Sequence, residues 1–160
     1  MSPSRLLSRG AEGYPPKARR EEAEMLQKIV VGSDTSASAD LAVKEAAELA
    51  KSSNAELVVL YVKPAAPAKD VFDPKKAPDP AGYLRQIGQR FPGIRIRTRE
   101  EPGEPAAAIC RVAEAEDADL IVVGNRGIHG RRRSFLGSVP GGVMRKAPTS
   151  VYVVDTRVAH

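Results

Sequence analysis

The sequence predicts an α/β fold in which one parallel β-sheet carries helices on both faces. Three short segments, Lys28–Gly32, Glu56–Val62 and Asp119–Gly124, are mostly continuous apolar runs rather than alternating ones. Such runs are typical of strands that are buried on both faces, as in parallel sheets. Helical patterns separate the strands, and strict alternation favours right-handed crossovers onto one sheet. We therefore expect the order β-α-β-α-β-α-β-α-β.

The elements of the first half follow from local patterns. After the first strand, Ser33–Ser36 form a turn with several residue types that cap helices, and residues 37–51 carry apolar residues at helical spacing. The second strand covers residues 56–62. Residues 63–80 contain five prolines, which indicates an irregular crossover, and residues 81–91 are expected to form a short helix.

The second half continues the alternation. Ile94–Arg99 alternates apolar and charged residues, as an edge strand does. Pro105 suits the first turn of a helix that extends to about Glu116. A buried strand at Asp119–Gly124, a helix at 138–147 and a final strand at Ser150–Val154 complete the predicted sheet.

Length and charge indicate one domain preceded by a basic arm. The chain has 160 residues, which suits a single domain, and a net charge of +5. Residues 1–20 hold five basic residues and one acidic residue, so they carry +4 of that charge. We expect residues 1–24 to form a flexible arm and residues 25–160 to form the domain. The small remaining charge and an aromatic content of 4% argue against a nucleic-acid partner.

Other features predict a cytoplasmic protein without a membrane segment. The sequence contains no run of about 18 apolar residues and no apolar core of a secretory signal. Its single cysteine, Cys110, excludes an internal disulfide, fits a reducing compartment and lies on an apolar helix face, so we expect a buried, unreactive thiol. His129 and His160 have no carboxylate at ligand spacing, so no metal site is expected.

The strongest local feature is a glycine-rich turn between the fourth strand and the fourth helix. It reads Gly124-Asn125-Arg126-Gly127, then nine residues, then Gly137-Ser138-Val139. Glycines allow a ligand to approach the backbone, and the N-terminus of the following helix presents free N–H groups. Basic residues surround the turn and no acid occurs between positions 124 and 147, so the pattern favours a bound phosphate. A glycine-rich linker with solvated arginines is the alternative interpretation.

Two common nucleotide motifs are absent. The turn is not a Walker loop, because no lysine follows Gly137, and the chain has no G-x-G-x-x-G fingerprint of dinucleotide-binding folds. The spacing G-x2-G-x9-G-[ST] instead resembles the universal stress protein (UspA-like) superfamily. VVGSD at the first strand, LYV at the second, PGEP before the third helix, DLIVVGNRG and GSV…APTSVYVV match that family in order over residues 28–155.

The resemblance implies a Rossmann-type sandwich of the adenine nucleotide alpha-hydrolase-like kind, with sheet order 3-2-1-4-5. It implies ATP, with or without Mg²⁺, as ligand, and a homodimer formed through the last strand, 150–154. Asp34 would contact the adenosine, Gly32 would let the base approach, and Val62 would hold adenine through its backbone. The phosphate end would comprise Gly124, Asn125, Arg126, Gly127, Gly130, Gly137, Ser138, Val139 and Pro140.

Two departures from the family pattern bear on the ligand. Thr35 stands where the family often has glycine, and we expect threonine to disfavour a positive φ there. Pro140 stands where many ATP binders have Ser or Thr, and it removes one hydroxyl and one N–H. The G-N-x-G…G-S-V-P form resembles a branch of the family that favours cyclic AMP, which needs fewer donors than a triphosphate.

Three functional classes stay open on this evidence. The leading interpretation is a stress-response regulator or sensor that binds an adenine nucleotide. The second is a slow ATPase or an autophosphorylating protein with Ser138 as acceptor, although the sequence offers no positioned base and no catalytic lysine. The third, a nucleic-acid binder, depends only on the basic arm and on Arg131–Arg133. Asp34 has a simpler alternative role as a helix-capping residue.

Overall fold

The computed structural model describes residues 26–63, 79–125 and 138–157. The chain alternates strands and helices as the sequence predicts. The strands are β1 (Lys28–Ser33), β2 (Glu56–Lys63), β3 (Arg95–Pro102), β4 (Leu120–Gly124) and β5 (Ser150–Val154). The helices are α1 (Ala37–Ser53), α2 (Pro80–Arg90), α3 (Pro105–Ala115) and α4 (Val139–Lys146). The expected arm, residues 1–24, and most of the proline-rich crossover lie outside the described residues.

All five strands form one parallel sheet in the order β3-β2-β1-β4-β5. The predicted fold class and strand order are confirmed. The central strand β1 pairs with β2 on one side, where Ser33 lies opposite Tyr61, and with β4 on the other, where Val31 lies opposite Val122. Every strand therefore ends at the same edge of the sheet.

Two separate cores fill the space between the sheet and its helices. On one face, α1 and α2 contribute Val43 and Ile87, which pack with alternate strand residues such as Leu57. On the other face, α3 and α4 contribute Ile109 and Val143. Both faces of β1, β2 and β4 are thus buried, which explains why these strands are continuously apolar. In the described part of the chain, the helices are too short or too polar to cross a membrane.

The edge strand β3 is apolar on one face only. Ile96 packs against the core under α2, whereas Arg97 and Arg99 point to the opposite face and form ion pairs with Glu116 after α3. Lys28 also donates to Glu116, at 3.3 Å. Hydrogen bonding to Arg97 is the largest of the effects that lower the pKa of Glu116, to about 2. Charge pairs replace a second core on this part of the sheet.

Several element boundaries differ from the prediction. Ser33 belongs to β1, because it stays in register with Tyr61. Pro80 is the first residue of α2, where Asp79 caps the helix by accepting from the Gly82 N–H. β3 extends three residues past Arg99, because β2 offers pairing partners as far as Lys63. These shifts are set by pairing and capping rather than by local propensity.

The burial predicted for Cys110 is confirmed. The thiol lies between α3 and α4, with its Sγ 3.9 Å from the carbonyl oxygen of Val143. Burial is the main cause that raises the pKa of the Cys110 thiol, which keeps it protonated and weakly reactive.

Candidate functional site

The candidate site lies where the carboxyl ends of β1 and β4 stand side by side. The chain leaves β1 towards β2 on one side, and α3 brings it back to β4 on the other side. Ligands bind at such switch points in open parallel sheets. The fold brings the predicted residues Gly32, Asp34, Gly124 and Asn125 to this edge.

The turn after β1 has a defined, hydrogen-bonded conformation. Ser36 is the N-cap of α1 and accepts the Ala39 N–H at 3.1 Å. Asp34 is therefore not the capping residue; its Oδ1 accepts the Ser36 N–H at 3.0 Å. Threonine was expected to make a positive φ less favourable at this position, but Thr35 nevertheless adopts a φ of 68°. Its N–H donates to Ser33 Oγ at 3.2 Å, and this bond helps to impose the left-handed conformation.

A chain of hydroxyl groups links this turn to α1 and α2. Ser33, which is buried at the end of β1, donates to the phenol oxygen of Tyr83 at 3.0 Å. The Tyr83 hydroxyl donates to Asp40 at 3.4 Å, and Arg90 binds both oxygens of Asp40 at 2.7 and 2.6 Å. Burial is the main cause that raises the pKa of Tyr83. Sequence reasoning missed this network, because Ser33 and Tyr83 are fifty positions apart and Tyr83 belongs to no motif.

Gly32 makes room for a neighbouring side chain. A Cβ at this position would lie 2.8 Å from Cδ1 of Ile109 and 3.8 Å from Cγ1 of Val123. The absence of a side chain therefore lets α3 pack closely on β1. This packing requirement exists independently of the predicted approach of a ligand base to Gly32, which stays a prediction.

The end of β2 contributes Tyr61 and Val62. Val62 is half-buried against the core under α3 and lies one residue before the carboxyl end of β2. Its predicted backbone contact with adenine stays a prediction. Tyr61 packs in the opposite core. Burial, with the negative charges of Glu100 and Asp34, raises the pKa of the Tyr61 phenol. Asp34 and Tyr61 thus lie near one another.

The side chain of Asn125 is engaged by the chain that follows β5. Its Oδ1 accepts both the N–H and the hydroxyl of Thr156, at 2.9 and 2.8 Å, and its Nδ2 donates to Asp155 at 3.1 Å. The Asn125 N–H donates to the Val154 carbonyl at 3.0 Å. Asn125 was predicted to contact nucleotide, but in this structure its amide fixes the exit from β5.

The start of α4 supplies the other described part of the predicted phosphate end. Ser138 is the N-cap, and its Oγ accepts the Gly141 N–H at 3.2 Å. Val139 is 37% exposed and begins the helix, and the buried Pro140 follows it without an N–H to donate. Two backbone positions at this helix end therefore offer no free N–H to a ligand: Pro140 has none, and the N–H of Gly141 is donated to Ser138.

Four predicted site residues, Arg126, Gly127, Gly130 and Gly137, lie outside the described residues. Within residues 26–63, 79–125 and 138–157, His, Cys, Asp and Glu side chains form no group of three or more that could hold a metal ion. The described part of the site therefore consists of the β1 turn, the ends of β2 and β4, and the first turn of α4.

Comparisons with known proteins identify the family of this chain. The family model described as "Universal stress protein family" matches residues 25–155. Universal stress protein MJ0531 of Methanocaldococcus jannaschii is 30% identical over 146 residues, which cover 84% of this chain and 85% of that protein.

Solved structures give the same result. Universal stress protein UspA from Lactobacillus plantarum superposes with a TM-score of 0.71 at 28% identity, covering 82% of this chain and 99% of that one. A universal stress protein solved in complex with cAMP superposes with a TM-score of 0.63 at 35% identity, covering 82% and 98%. The matched segment includes every described strand and helix, and the chain therefore belongs to the universal stress protein family.

Proposed function

We propose that this protein binds an adenine nucleotide at the edge where β1 and β4 end, and that it acts as a stress-response regulator rather than as an enzyme. The observation that carries the proposal is the placement of Gly32–Asp34 and Gly124 at the switch point of the sheet, beside the N-terminus of α4. This edge combines the Asp34 carboxylate, glycine backbone that a ligand can approach, and the positive end of the α4 dipole. The relative solved with cAMP, at 35% identity, supports an adenine ligand.

Asp34 is the residue that we assign to the adenosine part of the ligand. It follows β1 directly, and its accepted bond from the Ser36 N–H fixes the carboxylate at the head of α1. A carboxylate in this position can accept hydrogen bonds from ribose hydroxyls. The adenine would then lie towards the backbone of Val62.

ATP is the first candidate ligand, because the glycine-rich sequence that begins at Gly124 has the pattern of a phosphate-binding turn. Cyclic AMP is the second, and the start of α4 favours it. Pro140 has no N–H, and Gly141 already donates its own N–H to Ser138. One cyclic phosphate needs fewer donors than three phosphates do.

A thermal-shift series with ATP·Mg, ADP, AMP, cyclic AMP and GTP tests the proposal. A ligand at about 100 times its Kd adds about 2.7 kcal/mol to stability, which raises the Tm by several degrees. We expect a shift with an adenine nucleotide and none with GTP. Asp34→Ala should abolish the shift, whereas Glu114→Ala, which removes an exposed acid at the far end of α3, should retain it. The absence of a shift with every adenine nucleotide would refute the proposal.

The substitution Pro140→Ser distinguishes the two ligands. It restores an N–H and a hydroxyl at the second position of α4. We expect the ratio of ATP affinity to cyclic AMP affinity to rise about tenfold or more, since a hydrogen bond to a charged phosphate contributes about 1.5–3 kcal/mol. Both affinities are measured on the same variant, so any loss of stability cancels. An unchanged ratio would show that the start of α4 does not select the ligand.

We also propose that two copies of the chain pair through β5. This strand is last in the sheet order, and Tyr152 on it is 38% exposed. On the adjoining helix α4, Met144 is 49% exposed, and Val151 and Val153 of β5 are only half-buried. The β5 edge of the sheet therefore carries partly exposed apolar side chains, which we call the apolar border, of the kind that a second copy can cover.

A further inference from the structure

The turn that faces the proposed ligand holds a conformation that its own sequence disfavours. Thr35 is β-branched, and in the left-handed region its Cβ crowds the following carbonyl oxygen. Such a conformation persists only where the surroundings enforce it. Two bonds hold this turn: the Thr35 N–H donates to Ser33 Oγ, and the Ser36 N–H donates to Asp34 Oδ1 across Thr35.

The first of these bonds depends on how the Ser33 hydroxyl is oriented. A serine hydroxyl has one hydrogen and two lone pairs, so the direction of its donated bond decides where its lone pairs point. Ser33 donates to Tyr83, 3.0 Å away, and this leaves a lone pair for the Thr35 N–H. Because Ser33 is only 7% exposed, bulk water has little access to replace the phenol as its partner.

Tyr83 is itself held in place from two sides. Its hydroxyl donates to Asp40 on α1, and the paired guanidinium of Arg90 fixes that carboxylate. The phenol ring is half-buried and packs against the core under α1 and α2. The Tyr83 hydroxyl, on α2, is thus hydrogen-bonded both to α1 and to the end of β1.

We propose that Tyr83 is a positioning residue for the nucleotide, which acts through Ser33 to hold Thr35 and thereby to aim the carboxylate of Asp34. The proposal rests on the proposed function, since it assigns Asp34 to the ligand. Tyr83 makes no contact with the ligand in this scheme. Its hydroxyl sets the shape of the turn before the ligand arrives, so that binding need not impose the left-handed conformation.

The test removes one hydroxyl and measures both binding and the turn itself. Tyr83→Phe keeps the ring and deletes only the phenol oxygen. Thr149→Val is the matched control, because it also deletes one hydroxyl. That hydroxyl donates to the Asp119 carbonyl, 2.9 Å away, at the end of the sheet where β4 and β5 begin. We expect Tyr83→Phe to weaken nucleotide binding by calorimetry about five- to tenfold, and Thr149→Val to change it less than about twofold.

Repeating the Tyr83→Phe measurement in a Thr35→Gly variant separates a positioning effect of Tyr83 from a general loss of stability. Glycine adopts positive φ without side-chain strain, so a Thr35→Gly turn no longer needs the hydroxyl chain. In that background Tyr83→Phe should change the affinity by less than about twofold. The same loss with Thr35 and with glycine, or an equal loss for Thr149→Val, would overturn the proposal.

A ligand-free readout distinguishes failure of this proposal from failure of the proposed function. Amide hydrogen exchange at Thr35, followed by NMR, should be about tenfold faster in Tyr83→Phe and unchanged in Thr149→Val. If the wild type binds no nucleotide but this exchange still responds, the proposed function fails and Tyr83 is shown to set the turn alone. If the wild type binds and the exchange does not respond, the positioning role is overturned.

Discussion

Thr35 bears a conformational cost that a single substitution can remove. Its φ of 68° costs a β-branched residue about 1–2 kcal/mol, and glycine would avoid that cost at the price of a more flexible unfolded chain. We expect Thr35→Gly to raise the free energy of unfolding by up to about 1 kcal/mol. Urea denaturation of both proteins measures the difference.

A second threonine provides the control for this prediction. Thr98 is exposed in the regular part of β3, where the backbone is extended. Thr98→Gly should therefore lower the free energy of unfolding, because glycine weakens strands. If Thr35→Gly destabilises the protein as much as Thr98→Gly does, the left-handed turn is not strained.

The residue scale also shows where sequence reasoning succeeds and where it fails. Cys110 was predicted to be buried because its helix face is apolar, and the packing confirms it. The positive φ of Thr35 was not expected, because conformational preference was weighed without the distant hydroxyls that override it. Asn125 lies in a recognisable motif, but its partner Thr156 comes from a segment that shows no pattern. Polar partners across long sequence separations leave little trace in one sequence.

At the scale of elements, α3 and α4 approach each other through a pair of small residues. A Cβ added to Gly142 would lie 2.7 Å from the Cβ of Ala106. Neither atom can rotate away, because each is attached directly to a helix backbone. The position of α4, and with it the Ser138 cap at the candidate site, depends on this close contact.

Two glycines in helices should therefore respond in opposite ways to alanine. Gly142→Ala forces α4 away from α3 and should cost about 1–3 kcal/mol of stability, despite its higher helix propensity. Gly88 in α2 faces open space, so Gly88→Ala should add about 0.5–1 kcal/mol. Chemical denaturation of both variants measures the two effects. A neutral Gly142→Ala would show that the two helices are less tightly packed than described.

The predictability of each element follows from its burial. The strands β1, β2 and β4 are covered on both faces, and their apolar runs placed them to within a residue or two at each end. The end of β3 was missed, since the residues from Glu100 to Pro102 form a strand only because β2 lies beside them. The start of α2 was missed by one residue, where Asp79 acts as the cap.

For the molecule as a whole, Glu116 links three parts of the chain and should govern its tolerance to acid. It accepts from Lys28 at the start of β1 and from Arg97 and Arg99 on β3. Its pKa is lowered from 4.5 to about 2, so the folded state favours the charged form. The resulting stability is fully present above about pH 4.5 and is lost as the pH falls towards 2.

The corresponding prediction compares unfolding across that pH range. The free energy of unfolding of the wild type should fall more steeply between pH 4.5 and 2 than that of Glu116→Gln, which has no carboxylate to protonate. Glu114→Gln, an exposed change on the same helix, should follow the wild-type curve. Parallel curves for wild type and Glu116→Gln would remove Glu116 from the acid response.

The proposed pairing through β5 is tested by introducing a lysine on β5 in one variant and on β3, at the other edge of the sheet, in a second variant. Tyr152→Lys puts a cation on the apolar border and should convert a dimer into a monomer in sedimentation velocity. Thr98→Lys places the same charge on β3, at the opposite edge, and should leave the dimer intact. A monomeric wild type would contradict the pairing itself.

The unequal edges of the sheet also limit how far such an assembly can grow. β3 carries Arg95, Arg97 and Arg99, and acids of the same chain form ion pairs with the last two. This edge therefore presents charged side chains and little apolar surface to a neighbour. Under the proposed pairing, each copy would therefore offer one such apolar edge in the described part of its sheet. A symmetric contact between two β5 edges would bury the apolar border of both copies. A higher protein concentration would then fill the proposed pairs without extending them into filaments.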